Sequence, residues 1–194
     1  MKKYSVIFML MLTSLVSVAQ TKTWVNDPAH SRLGFVVKHL TISEINGRFA
    51  DFSVKVITSK PDHTDARIEV TAKVASIDTD IEMRDNHLRS PDFFDAEKYP
   101  VLTFKSTSVE KTGENTGKLF GNLTFHGITK PVVLDVTYFG TVNNPADNVE
   151  TAGFQIKGIV KRSDFDLGPK FPEAMISNDV HIIADVEFHQ KSED

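Results

Sequence analysis

The sequence predicts an all-β protein with short helices, an antiparallel barrel of about eight strands under a small helical cover. Apolar residues recur at every second position in row after row, the period at which one face of a strand turns inward. Clusters of Gly, Asn, Asp and Pro separate the rows at hairpin spacing. One stretch, residues 76–104, breaks the alternation and carries helix signals instead.

The chain opens with a targeting segment. Lys2 and Lys3 precede an apolar run from Val6 to Val18 that is too short to span a bilayer, and Ser17-Val18-Ala19 places small residues where a signal peptidase needs them. Residues 1–19 are therefore read as a signal peptide and residues 20–194 as a single exported, soluble domain. The absence of cysteine excludes a lipid anchor on a thiol, a disulfide framework and a thiolate metal site. A hydrophobic fraction of 40% and a formal net charge of −4 suit a globular protein and give no sign of a nucleic-acid partner. The dispersed charges form no phosphate-tracking surface and no basic amphipathic helix for stable membrane insertion.

The strand rows follow in order. Leu33, Phe35 and Val37 alternate with Arg32, Gly34 and Lys38, then come Phe52, Val54 and Val56, and the cleanest row is Ile68, Val70, Ala72 and Val74. After the helical stretch come Leu102, Phe104 and Ser106; then Leu119, Leu123 and Phe125; then Val132, Leu134, Val136 and Tyr138. Phe154, Ile156 and Val160 precede a closing row from Val180 to Phe188. Hairpin connections at 113–117, 126–131 and 143–148 argue for sequential, up-and-down neighbours. Eight such rows suit closure into a barrel.

Within 76–104, Thr79 and Glu82 stand at capping-box spacing, which predicts a helix starting near Asp80. Ser90-Pro91 predicts a second, shorter helix carrying Phe93 and Phe94, and Tyr99-Pro100 ends it. Arg84-Asp85 and Arg162-x-Asp164 are placed to pair as charges bracing this cover, or to form ordinary surface ion pairs. The longest irregular piece, 163–178, reads as a flap over one mouth of the barrel or as a static connection.

Several blocks together carry a resemblance: Trp24…Asp27-Pro28-Ala29-His30-Ser31, Lys38-His39-Leu40, Gly47-Arg48-Phe49, Ser76-Ile77-Asp78-Thr79, Arg84-Asp85-Asn86-His87-Leu88, Asp92-Phe93-Phe94, Tyr99-Pro100, Gly121-Asn122-Leu123-Thr124-Phe125-His126-Gly127 and Arg162-Ser163-Asp164-Phe165. Their order over nearly all of 20–194 resembles the YceI family. The resemblance implies a lipocalin-like barrel enclosing an elongated apolar tunnel for a polyisoprenoid or similar amphiphile, a periplasmic location and a homodimer. The partner it implies is a long-chain isoprenoid, a quinone-like molecule or a fatty lipid. Phe165-Asp166-Leu167-Gly168 departs from the glycine that many relatives place soon after Arg-x-Asp-Phe.

A prenyl chain needs alternate apolar side chains on several strands, and the candidates for that lining are Phe35, Val37, Phe49, Phe104, Leu123, Phe125, Phe154 and Ile156. Periodicity alone leaves a solid core as the ordinary alternative, and the resemblance favours the tunnel. A helical cover and head-group region is assigned to His30, His39, Arg84, His87, Phe93, Phe94, His126 and Arg162. The histidines are not at metal-ligand spacings, so they are expected to bond backbone groups or a nearby Asp, with no metal and no cofactor. His63 and His189 read as solvated surface residues. No nucleophile elbow, zinc-protease helix or phosphate loop occurs, so a non-catalytic carrier is favoured over a lipid hydrolase or isomerase using His30, Ser31 or His87, and over a solid-cored stress protein.

Overall fold

The computed structural model describes residues 20–191, so the predicted signal peptide lies outside the described residues. Eleven strand segments form one sheet whose pairings are all antiparallel. They are β1 (Lys22–Asn26), β2 (Arg32–His39), β3 (Ser43–Phe49), β4 (Phe52–Thr58), β5 (Arg67–Lys73), β6 (Ile77–Asp78), β7 (Val101–Lys111), β8 (Thr116–Phe125), β9 (Ile128–Asn143), β10 (Glu150–Lys161) and β11 (Asp179–Gln190), with one helix, α1 (Glu82–Arg89), between β6 and β7.

Six of these segments are halves of three creased strands. The segment β1 pairs with β4 while β2 pairs with β3, and β5 pairs with β4 while β6 pairs with β3. Joining β1 to β2, β3 to β4 and β5 to β6 across their breaks gives an eight-stranded up-and-down barrel, closed where β1 meets β11 through Trp24 opposite Gln190 and Asn26 opposite Phe188. The breaks lie side by side and are stitched together: Ala50 N–H donates to Ser76 C=O at 3.0 Å, and Val54 N–H donates to Asn26 Oδ1 at 2.7 Å. A crease therefore crosses three neighbouring strands, which lets long strands bend around a small barrel without exposing backbone donors.

The helical cover differs from its prediction. Thr79 and Glu82 do not cap one another: α1 starts at Glu82 with Ile81 as an extended N-cap that makes no side-chain cap bond. The reason is local, because Asp80 takes a left-handed φ of 64° and Thr79 is buried. Asp85 reaches back from the first turns of α1 and accepts from both the N–H and the hydroxyl of Thr79. The second helix is absent; residues 91–98 form turns, with Asp95 at a positive φ of 46°, and hang from the end of α1 through Phe94 N–H to Leu88 C=O and Ala96 N–H to Arg89 C=O. Pro100 is followed by a strand beginning at Val101.

Candidate functional site

The inner face of the sheet lines a cavity of about 680 Å³, within the range of small-molecule sites. Two packed groups flank it. Phe49, Phe94, Phe125 and Phe165 form an aromatic layer beneath the cover, and Trp24, Val54, Val186 and Phe188 pack towards the other end. Between them, inward residues such as Leu33, Val37, Leu123, Phe154 and Ile156 are only half-buried, because their inner surfaces meet a void.

Two glycines keep the cavity wide. The Phe35 ring lies where a Cβ on Gly47 would be, 2.3 Å from its Cζ, and the Phe104 ring covers Gly121 in the same way at 2.3 Å. Each large ring is thus pressed flat against the wall, since only glycine permits so close an approach.

At the covered end, Phe93 stacks on Phe171 with centroids 4.6 Å apart, and the His87 ring meets both edge-on. Arg162 is buried, and its guanidinium donates to the carbonyls of Leu167, Gly168, Phe171, Ile176 and Ser177. It fastens the 163–178 flap from beneath, and desolvation moves its pKa downward. Arg84 donates to the hydroxyl and carbonyl of Thr79, while Arg89 donates to the carbonyls of Ala75 and Ile77. The expected pairing of Arg84 or Arg162 with neighbouring carboxylates is therefore replaced by bonds to backbone carbonyls and, for Arg84, to the Thr79 hydroxyl, Asp85 being occupied by Thr79 and Asp164 lying exposed. Asp166 takes the left-handed conformation, φ 53°, that a glycine would otherwise supply after the Arg-x-Asp-Phe element.

At the opposite end, His63 sits edge-on to Trp24, Tyr138 and Phe154 at centroid distances of 6.3, 6.0 and 5.9 Å. It is half-buried and borders the cavity, so its reading as a solvated surface residue is corrected. The cause is the loop at 59–66. Asp65 accepts from the Thr58 hydroxyl at 2.6 Å and from the N–H groups of Ser59 and Lys60, which lowers its pKa to about 2 and folds the loop back across the barrel end. No period or motif marks such a fold-back in sequence. The buried Trp24 Nε1 has no protein hydrogen-bond partner and borders the same end.

All eight residues assigned to the apolar lining border the cavity. Of the cover set, His39, Arg84, His87, Phe93, Phe94 and Arg162 do so, whereas His30 and His126 do not. His126 instead meets the Phe165 carbonyl through Nδ1 at 3.1 Å and packs on Tyr99, bracing the flap from outside. His30 lies on the outer wall at the crease, bonded to Asp27. The Ser31 hydroxyl is engaged with the Glu187 backbone as both donor and acceptor, so it does not form a nucleophile–base pair with His30.

An up-and-down barrel whose ring of strands encloses one apolar chamber belongs to the class of hollow-barrel binding domains. The chain belongs to the YceI family: the YceI-like domain matches residues 24–188. A relative from Photorhabdus laumondii, the UPF0312 protein plu2095, is 41% identical over 149 residues, covering 75% of this chain and 77% of that protein. The crystal structure of the Campylobacter jejuni YCEI protein is similar with a TM-score of 0.73 and 36% identity, over 80% of this chain and 90% of that one. A polyisoprenoid binding domain from Saccharophagus degradans shares the fold at 18% identity and a TM-score of 0.63, over 87% of this chain and 98% of that one. Among the described residues, no helix is long and apolar enough to cross a membrane.

Proposed function

We propose that this protein binds one long-chain isoprenoid, or a quinone-like or fatty lipid of similar shape, inside the barrel and carries or sequesters it without a chemical step. The observation that carries the reading is the 680 Å³ chamber, whose apolar wall draws on the whole ring of barrel strands. Each methylene buried there contributes roughly 0.8 kcal/mol, so a few isoprene units outweigh the ordering of a flexible chain. Among the described residues, every ionisable side chain bordering the chamber is basic, including His39, Arg84 and His87 beside the cover. An electron-rich head group, such as a carbonyl, quinone or phosphate oxygen, is thus favoured at that end, with the tail running down between Phe35, Phe104, Phe154 and Ile156. The name of the Saccharophagus degradans domain agrees with this ligand class. The reading also takes residues 1–19 as a cleaved export signal, residues 20–194 as one domain, the periplasm as the site of action and a homodimer as the assembly.

Native mass spectrometry of the gently extracted protein tests the proposal. The expected result is one lipid-sized adduct per chain, regained by the delipidated protein on incubation with geranylgeraniol. Protein that carries no adduct and takes up no prenyl or acyl probe would overturn it.

A further inference from the structure

We propose that the outer wall of the barrel carries a site for a divalent transition metal of the zinc, cobalt, nickel and copper class, formed by Asp27, Glu187 and His189 with His30 as a fourth ligand. Donor atoms of Asp27, Glu187 and His189 lie within 4.8 Å of one another. His30 Nδ1 is 2.6 Å from Asp27 Oδ2 and 3.9 Å from Glu187 Oε2, and His189 Nε2 is 3.6 Å from Asp27 Oδ2.

The fold builds this convergence from opposite ends of the chain. Along β11, Val186 and Phe188 face the chamber, so Glu187 and His189 stand together on the outer face. The crease between β1 and β2 brings Asp27 and His30 over them. Asp27 N–H donates to Glu187 C=O at 2.9 Å, and Ser31 Oγ accepts from Glu187 N–H at 3.2 Å, which pins the two segments in register. Ala29 N–H holds Asp27 Oδ1 at 2.8 Å, leaving Oδ2 aimed between the two imidazoles. These backbone bonds orient the ligands as second-sphere partners do in metal sites.

Ligands about 2.1 Å from a tetrahedral metal lie roughly 3–3.5 Å apart. The His30, Glu187 and His189 side chains are 64%, 46% and 29% exposed, which leaves them room to rotate towards that spacing. Two imidazoles beside two carboxylates suit zinc-like ions and disfavour calcium and magnesium, which take oxygen. An ion pair between Asp27 and the exposed His30 gains little by itself and gives no reason for Glu187 and His189 to meet at the same point.

Titration of tag-free, chelator-stripped protein with Co²⁺ and Zn²⁺ tests the site. One equivalent of Co²⁺ is expected to give visible d–d absorption, to be displaced by Zn²⁺, and to bind at least tenfold more weakly in His189→Ala and Glu187→Gln. His181→Ala, exposed near the far end of β11, is expected to bind as the parent does. Failure to bind, or binding that both site variants retain at full strength, would overturn the proposal. Melting curves matching the parent exclude unfolding as the cause of any loss, and lipid uptake is expected to be unchanged because the site lies outside the chamber.

Discussion

His63 illustrates how one residue couples the floor of the chamber to pH. Burial against Trp24, Tyr138 and Phe154 pushes its imidazole below the ordinary 6.5; Lys22 adds to this, while Asp62, Asp65 and Glu150 oppose it. The unfolded chain therefore takes up a proton near pH 6.5 that the folded chain refuses until lower pH. Stability contributed by neutral His63 is present above 6.5 and declines as the pH falls towards the depressed value. Asp65 acts in a separate window, since its contribution is present above the ordinary 3.8 and is lost as the pH falls towards about 2. The expected outcome is a melting temperature that drops more between about pH 7 and pH 5 in the parent than in His63→Phe. Equal slopes in the two proteins would contradict the coupling.

At the level of elements, the barrel strands were legible wherever one face is wet and the other apolar over several residues. The rows at Ile68–Val74, Val132–Tyr138 and Val180–Phe188 are of this kind, and each coincides with a strand or continues into its flanking turn. The segments β1, β3 and β6 were not legible. They are five, seven and two residues long, and the inward row of β3 carries only Ile45 and Phe49 as large apolar residues, with Ser43 and Gly47 at its other positions. Seven of the eight lining positions are readable as inward alternation, Phe49 standing outside every row, yet whether inward means packed or hollow depends on ring-over-glycine contacts at Gly47 and Gly121 that no local pattern encodes. The helix start was misplaced because a buried tertiary bond overrode a local one: Asp85, not Glu82, serves Thr79. Asp85→Ala leaves that N–H and hydroxyl without their buried acceptor, at an expected cost of about 2–4 kcal/mol in urea unfolding. Faster amide exchange confined to residues 78–90 is expected with it, and exchange identical to the parent would show that Asp85 does not anchor the cover.

For the whole molecule, the decisive property is that a ring of strands stays open inside while its ends are closed by side chains bonded to backbone. Arg162 seals one end through five carbonyls and the Asp65 loop folds His63 across the other, so both closures are polar devices around an apolar chamber. Filling that chamber is expected to abolish uptake without harming the barrel. Ala184 is buried on the inner face of β11, and Ala184→Phe places a ring in the path of the tail. Its far-UV circular dichroism should match the parent while geranylgeraniol uptake falls at least tenfold; undiminished uptake would place the guest elsewhere. The seam between β1 and β11 bears on how such a vessel comes into being. The earliest strand waits for the latest before its edge is satisfied, and ladders of such wide sequence separation form slowly. Until β11 is in place the oily inner wall has no latch, and the chain remains an unclosed ribbon whose two edges have yet to zip together.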